Sequence, residues 1–356
     1  MRLGPGRKTL GLRFYLAILS VASLIAGQHD VPVAVIGSGG FGTCLSMLLA
    51  SNGVEVRQWC RNPEYATTLS NGRENVRYLP GVKIPLNIWI TSSLQDAVAG
   101  AEVVVAAVPS QAMRDTARAL APFLQKGAKV LSVAKGIEHD TYLRMSEVLH
   151  EELGNGHPIA ALSGPNHAEE IARGMPAASV IASRSEGCLD LLCELFTTDW
   201  FKAYPRDDIA GVELGGVLKN ITAIAAGLTR GIGFGDNSAA AVITLGLDEM
   251  VRFGAAHGAR KITFTGLSGL GDLIATATSP HSRNRRIGEL LGRGLSIEDA
   301  LQAIGGKVAE GVHATRFVHE QAQKEGLPLP LTDEIYRIMY EGKDVRAAVK
   351  DLLALL

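Results

Sequence analysis

The apolar positions fall into two regimes along the chain. From Val31 onward, short runs rich in β-branched residues alternate with longer stretches of helical period. VPVAVIG is followed, after Ser38-Gly39-Gly40, by FGTCLSMLLASNG, which closes on Asn52 and Gly53. That order reads as strand, turn, helix. The same alternation predicts strands at 54–60 (VEVRQWC), 101–108 (AEVVVAAV), 128–134 (AKVLSVA), 158–164 (PIAALSG) and 177–183 (AASVIAS). Helices are expected after Asn62-Pro63 and over 110–124 and 141–153. Buried strands separated by helices need crossovers, and crossovers of one hand cover both faces of a mostly parallel sheet. A doubly wound, Rossmann-like α/β domain is therefore predicted over 31–208. Beyond Asp208 the strand signal stops, and helical patterns follow at 209–228, 238–257, 283–292, 296–303, 314–325, 331–341 and 345–356. They predict an all-α second domain over 209–356.

Length and composition agree with two domains, since 356 residues with 47% hydrophobic positions can bury two cores. Lys plus Arg number 35 against 36 Asp plus Glu, a net charge of -1, so no basic field is available for a nucleic-acid partner. Cys44, Cys60, Cys188 and Cys193 are too few for a disulfide framework, and the nine His show no metal-ligand spacing, so no metal is expected. No Gly-x-Ser-x-Gly elbow offers a hydrolase nucleophile. Residues 1–28 stand apart. Arg2, Arg7, Lys8 and Arg13 precede an apolar run over 14–27 that looks like a signal peptide and is short for a membrane span. An export signal, a weak anchor and an extension upstream of a natural start near Val31 are the three readings. Cytoplasmic location without stable membrane insertion is the expectation for the rest of the chain.

Gly37-Ser38-Gly39-Gly40-Phe41-Gly42 is a G-x-G-x-x-G set between the first strand and the first helix. Gly37 permits the tight turn, Gly39 lets backbone approach a pyrophosphate, and Gly42 lets helix and strand pack closely. The helix amides then face the anion. Where an NAD site often places an acidic residue at the end of the second strand, this chain has Cys60-Arg61. Arg61 suits a 2′-phosphate or the face of adenine. A dinucleotide cofactor, NADH or NADPH, is expected, with a solvated surface arginine as the plain alternative for Arg61.

Two further constellations carry chemistry. Gly215-Gly216-Val217-Leu218-Lys219-Asn220 places a cation on a helix beside residues with almost no side chain. Desolvation and a second cation both lower a lysine pKa toward the range useful for acid/base catalysis. Lys135, at the end of AKVLSVAKG, is expected at the carboxyl edge of the sheet, where doubly wound folds place ligands. For either lysine taken alone, a solvated charge at an element end is the plain alternative. The second constellation runs from Gly266 through Asp272 and Thr276 to Ser282-Arg283-Asn284-Arg285-Arg286. Ser282 reads as an N-cap, and the free amides with Arg283 and Asn284 form a phosphate cradle. Three Arg at a helix start oppose the helix dipole, which suggests an anion there. Asp272 can orient a catalytic lysine.

Taken together, these residues resemble NAD(P)-dependent glycerol-3-phosphate dehydrogenase of the bacterial type. The likeness extends from about Val33 to Leu353 through Gly37 to Thr43, Val108-Pro109, Ala134-Lys135-Gly136, Ser163 to Ala168, Leu218-Lys219-Asn220, Gly271-Asp272-Leu273, Ser282 to Arg285 and Val308 to Gly311. The resemblance implies a Rossmann domain with a 6-phosphogluconate-dehydrogenase-like helical domain, working as a homodimer. It implies reversible reduction of dihydroxyacetone phosphate to sn-glycerol 3-phosphate, supplying glycerophospholipid synthesis. Lys219 would be the proton donor and acceptor, with Lys135 between cofactor and substrate. Gly164, Asn166, Asp272, Thr276, Ser282, Arg283 and Asn284 would border the substrate. Gly40, Phe41, Arg61, Lys135, Ala168, Arg283, Val308 and Glu310 would line the cofactor site with the glycine turn. Phe41 stands where bacterial members commonly have Trp, and Asn166-His167 where Thr or Ser followed by Phe is often read. Another two-domain dehydrogenase acting on a 3-hydroxy acid or ketopantoate is the enzymatic alternative; a nucleotide-sensing module without catalysis is the other.

Overall fold

The computed structural model describes residues 31–305 and 309–353. The readings made for residues 1–28, for Val308 and for the last three residues fall outside them.

Eight strands form one sheet: β1 (Val33–Ile36), β2 (Val56–Trp59), β3 (Ile88–Thr91), β4 (Val103–Ala106), β5 (Lys129–Ser132), β6 (Ile159–Ser163), β7 (Ala177–Ser183) and β8 (Phe201–Arg206). Their order is β8-β7-β6-β5-β4-β1-β2-β3. Only β6 and β7 run antiparallel; the other neighbours are parallel. The chain therefore builds outward from β1 through β2 to β3, then returns to the other flank of β1 at β4. That reversal opens a crevice at the carboxyl ends of β1 and β4.

Side-chain alternation explains the double winding. Val33, Val35, Val103 and Val105 enter one core with Leu45 and Leu49 of helix α1 (Gly40–Ser51). Ala34, Ile36, Val104 and Ala106 enter the opposite core with Met113, Val148 and Leu149. Each fully buried Val or Leu contributes about 1.5–3 kcal/mol, so neither face can be left uncovered. The edge strands β3 and β8 had no sequence expectation. Each alternates buried and exposed positions over a short span, and β8 includes Pro205, a residue that only an edge strand tolerates. A hairpin, Glu74–Asn75 with Leu79–Lys83, was likewise not expected. The helix expected over 141–153 starts later, at Met145, because Tyr142 takes φ 62 and an isolated bridge joins Ile137 to Arg144.

The second domain is built on α2 (Ile209–Ile232), whose residues are buried on every side from Ile209 to Thr229. An all-round apolar helix belongs at a hub. Around it lie α3 (Asp236–Ala256), α4 (Asp272–Thr278), α5 (Arg283–Gly292), α6 (Glu310–Glu325) and α7 (Pro330–Tyr340). Glycines bring α5 against α2 almost backbone to backbone: a Cβ on Gly288 would overlap the Ile224 carbonyl oxygen, and one on Gly227 that of Arg285. Among the described residues α2 is the one helix long and apolar enough to cross a membrane, and its apolar window is fully buried inside the protein. Glu213 of α2, itself buried, accepts bonds from Ser146 N (2.7 Å), Ser146 Oγ (2.6 Å) and Arg144 (3.0 Å). It ties the hub to the helix Met145–Leu153 of the sheet domain.

Candidate active site

The glycine turn sits in the crevice between β1 and β4. Gly37 has φ 134, and a Cβ there would overlap the Ala107 carbonyl oxygen, so no other residue fits without displacing the loop. Nothing lies within 4 Å of the Cβ position of Gly39, which leaves its backbone open. A Cβ on Gly42 would lie 2.5 Å from the Gly37 oxygen, the close helix approach expected of the third glycine. Beside the turn is a cleft of about 750 Å³ lined by Gly37, Gly39, Arg61, Ala107, Val108 and Pro109, among others. Its dimensions and its open amide backbone suit a dinucleotide.

Sequence reasoning missed what holds this turn in shape. Gln58 Nε2 donates to the Gly37 carbonyl (3.1 Å) and to Thr43 Oγ1 (3.2 Å). Asn75 Nδ2, from the hairpin, donates to the Ser38 carbonyl (3.0 Å) and Thr43 Oγ1 (2.7 Å). Both residues are fully buried. Gln58 was detectable as a polar residue at an inward position of a buried strand; Asn75 sits far along the chain with no local pattern. Arg77 also lines the cleft, with its guanidinium 5.1 Å from the Tyr78 ring centre.

At the carboxyl end of β5, two ammonium groups converge on one carboxylate. Lys219 Nζ donates to Asp272 Oδ1 at 2.5 Å and to Thr276 Oγ1 at 2.8 Å. Lys135 Nζ donates to Asp272 Oδ2 (2.8 Å), Asn166 Oδ1 (2.7 Å) and the Gly164 carbonyl (3.0 Å). Asn166 is fixed in turn by donating to Ser179 Oγ at 3.1 Å. Gly216, one turn before Lys219, makes room for the Lys135 stem: a Cβ there would lie 3.3 Å from Lys135 Cγ. Asp272 is 2% exposed and Lys219 5%. Burial is the main force lowering the Lys219 pKa, to about 7, and the Lys135 charge adds to it while Asp272 opposes it. Burial alone would raise Asp272, but the two ammonium groups outweigh it and hold the carboxyl below its usual range. The cluster carries a net positive charge and a proton that exchanges near neutrality. It borders a cavity of about 200 Å³ shared with Phe41, Val133, Asn166, His167 and Ala168.

The start of α5 lies beside α2 at Asn220, the residue that follows Lys219. Ser282 caps it by accepting from Arg285 N at 3.2 Å. The three arginines separate in the fold. Arg285 is neutralised by Glu289 (2.6 Å) and the Ser279 carbonyl (2.8 Å), and Arg286 leans on Glu289 as well, at 3.4 Å. Arg283 alone is exposed without an ion-pair or hydrogen-bond partner among the described residues. Of the three, Arg283 is the one left to meet an anion at the helix start. Asn284 is buried and donates to Asn220 Oδ1 (2.9 Å) while accepting from Gly311 N (3.1 Å), so it links α5 to α2 and α6. Glu310 at the start of α6 accepts from Ser110 of the sheet domain at 3.2 Å, directly over Gly136. Burial raises its pKa against the Ser110 bond and the Arg283 charge. No cluster of three or more His, Cys, Asp or Glu able to hold a metal occurs among the described residues.

A dinucleotide cleft at the switch point of a doubly wound sheet, joined to a helical domain that contributes a buried lysine with a lowered pKa, is the layout of a two-domain NAD(P)-dependent dehydrogenase. Comparison with known proteins sharpens this. The family model for the NAD-dependent glycerol-3-phosphate dehydrogenase N-terminus matches residues 32–189, and that for its C-terminus matches residues 208–350. The chain belongs to the NAD-dependent glycerol-3-phosphate dehydrogenase family. It is 48% identical to glycerol-3-phosphate dehydrogenase (NAD(P)+) of Moorella thermoacetica over 90% of this chain and 95% of that one. It is 47% identical to the Chlorobium phaeobacteroides enzyme over 90% of this chain and 97% of the relative. The crystal structure of glycerol-3-phosphate dehydrogenase from Coxiella burnetii superposes with a TM-score of 0.86 at 37% identity, covering 91% of this chain and 98% of that chain. A ketopantoate reductase from Ralstonia eutropha shares the fold at a TM-score of 0.57 and 20% identity.

Proposed function

We propose that the protein catalyses the reversible, NAD(P)H-dependent reduction of dihydroxyacetone phosphate to sn-glycerol 3-phosphate. The observation that carries this reading is the Lys219–Asp272–Lys135 cluster at a cavity beside the glycine turn, in a chain of this family. Gly37, Gly39, Gly40 and Gly42 would hold the cofactor at the glycine turn, with Phe41, Arg61, Ala168, Arg283 and Glu310 lining the rest of its site, and the cofactor when bound would supply the hydride. The open Gly39 backbone is the feature of this chain that fits such a group.

The phosphate of the substrate is held at Ser282, Arg283 and Asn284. Binding energy from that remote group fixes the carbonyl at the lysines. Protonated Lys219 then donates its Nζ proton to the oxygen that becomes the C2 hydroxyl, and takes it back in the reverse direction. A pKa of about 7 keeps both forms of Lys219 populated at neutral pH. Lys135 adds positive potential where negative charge develops, and Asp272 with Thr276 fixes Lys219 in place. Acid catalysis of this kind is worth roughly 10² to 10⁴ in rate. A cytoplasmic homodimer feeding glycerophospholipid synthesis completes the proposal.

The test follows oxidation of NADH and NADPH by the full chain with dihydroxyacetone phosphate, against a control without substrate. Substrate-dependent oxidation is expected. Folded protein that binds cofactor and leaves it unoxidised would discard the substrate assignment.

A further inference from the structure

The cavity over the ammonium pair is lined by an imidazole to which the mechanism assigns no task. His167 is half-buried there, between Asn166 and Ala168. Its Nε2 lies 3.5 Å from the Ala275 carbonyl oxygen, at the outer limit of a hydrogen bond, and that is its one polar contact among the described residues. Ala275 belongs to α4, the helix that carries Asp272 and Thr276, so the imidazole is laid across the element that positions Lys219. On its other side is His281, with ring centres 6.4 Å apart and planes tilted by 57°. His281 immediately precedes Ser282 and Arg283. The His167 ring thus lines the cavity of the two ammonium groups and also neighbours His281, the residue before the N-cap of α5.

A three-carbon phosphate monoester with its carbonyl at Lys219 occupies the cavity that this ring lines. We infer that His167 is a substrate-binding residue that donates an imidazole N–H to the phosphate group of the bound substrate. It selects phosphorylated over unphosphorylated substrates. The assignment rests on the functional reading above and adds a contact to it. Phenylalanine at this position would fill the same space and close the cavity with carbon; histidine adds a donor aimed at the anion. A hydrogen bond to a charged oxygen is worth enough to change affinity roughly tenfold to a hundredfold.

The experiment compares the unsubstituted full chain with His167→Phe, which keeps an aromatic ring and removes the donor, and His167→Gln, which restores an N–H on a flexible stem. Steady-state rates are measured with dihydroxyacetone phosphate and with unphosphorylated dihydroxyacetone at saturating reduced cofactor. Circular dichroism and cofactor affinity serve as controls for folding. The expected result is a KM for dihydroxyacetone phosphate about tenfold or more higher in His167→Phe, with kcat changed less than KM. The rate constant kcat/KM for dihydroxyacetone should be nearly unchanged, and His167→Gln should recover part of the loss. An unaltered KM, an equal loss with both substrates, or a loss confined to kcat would overturn the assignment. If the unsubstituted chain itself leaves dihydroxyacetone phosphate unreduced, the functional reading fails, and glycerol 3-phosphate binding by calorimetry still decides the His167 contact: equal affinity in the chain and in His167→Phe would overturn it.

Discussion

Replacing Asp272 by Asn keeps the shape of the side chain and removes the one negative charge shared by the buried Lys219 and the partly buried Lys135. Lys219 and Lys135 approach it at 2.5 and 2.8 Å. Removing one partner of a buried ion pair costs about 3–5 kcal/mol, because the remaining charge is left unpaired in a medium that solvates it poorly. Lys219 can relieve that strain by releasing its proton. At about 1.36 kcal/mol per pKa unit, half of a ~4 kcal/mol penalty corresponds to roughly 1.5 units. Starting from about 7, the Lys219 pKa would then fall to roughly 5.5. At pH 8 the protonated fraction, and with it the rate of carbonyl reduction, would drop roughly 30-fold from this cause alone. The assay is kcat/KM for dihydroxyacetone phosphate reduction between pH 5 and 9, expressed as the ratio of variant to unsubstituted protein at each pH, with cofactor affinity as the control for folding. The ratio should climb as the pH falls below 7 and level off near the new pKa. A ratio independent of pH, or a variant fully active at pH 8, would refute the electrostatic role given to Asp272.

Two further outcomes follow from other parts of the molecule. Arg61 lines the dinucleotide cleft, and Arg61→Ser should lower the NADPH-to-NADH ratio of kcat/KM by about tenfold if it meets a 2′-phosphate, since a charge-assisted hydrogen bond is worth ~1.5–3 kcal/mol; an unchanged ratio would exclude that contact. Glu249 of α3 accepts from Leu331 N, Thr332 N and Thr332 Oγ1, and burial lifts its pKa from 4.5 to about 7. Between those values the folded protein holds a proton that the unfolded chain has released, so stability falls as pH rises through the window, by up to roughly 3 kcal/mol. Denaturant midpoints measured from pH 4.5 to 7 should fall less steeply with pH in Glu249→Gln; parallel slopes would contradict the shift.

Local pattern was enough for the elements that are buried on both faces or sit at hubs. Runs such as VVVA at β4 and the small-residue stretch of α2 are legible because every position of the element obeys one rule. The edge strands β3 and β8 were not, because only two alternate positions of each are buried, Ile88 and Ile90 in β3 and Phe201 and Ala203 in β8, so no continuous apolar run marks them. In the site, the residue types that can do chemistry stood out one by one, and the family resemblance arranged them. Sequence could not separate the three arginines at the start of α5. That depended on Glu289, one turn along α5, drawing Arg285 and Arg286 away and leaving Arg283 open.

The sequence by itself determined six of the eight strands of the main sheet and most of the helices between and after them, the glycine turn and the candidates for proton transfer and phosphate binding. Each of these is a property of neighbouring residues, where backbone preference and periodicity act. Only the tertiary structure decided that Lys135, Asn166, Lys219, Asp272 and Thr276 meet at one point, since they come from a strand end, a loop and two helices up to 141 positions apart, from Lys135 to Thr276. It also decided the Lys219 pKa, because desolvation depends on what the folded chain packs around the ammonium group and has no counterpart in the order of residues.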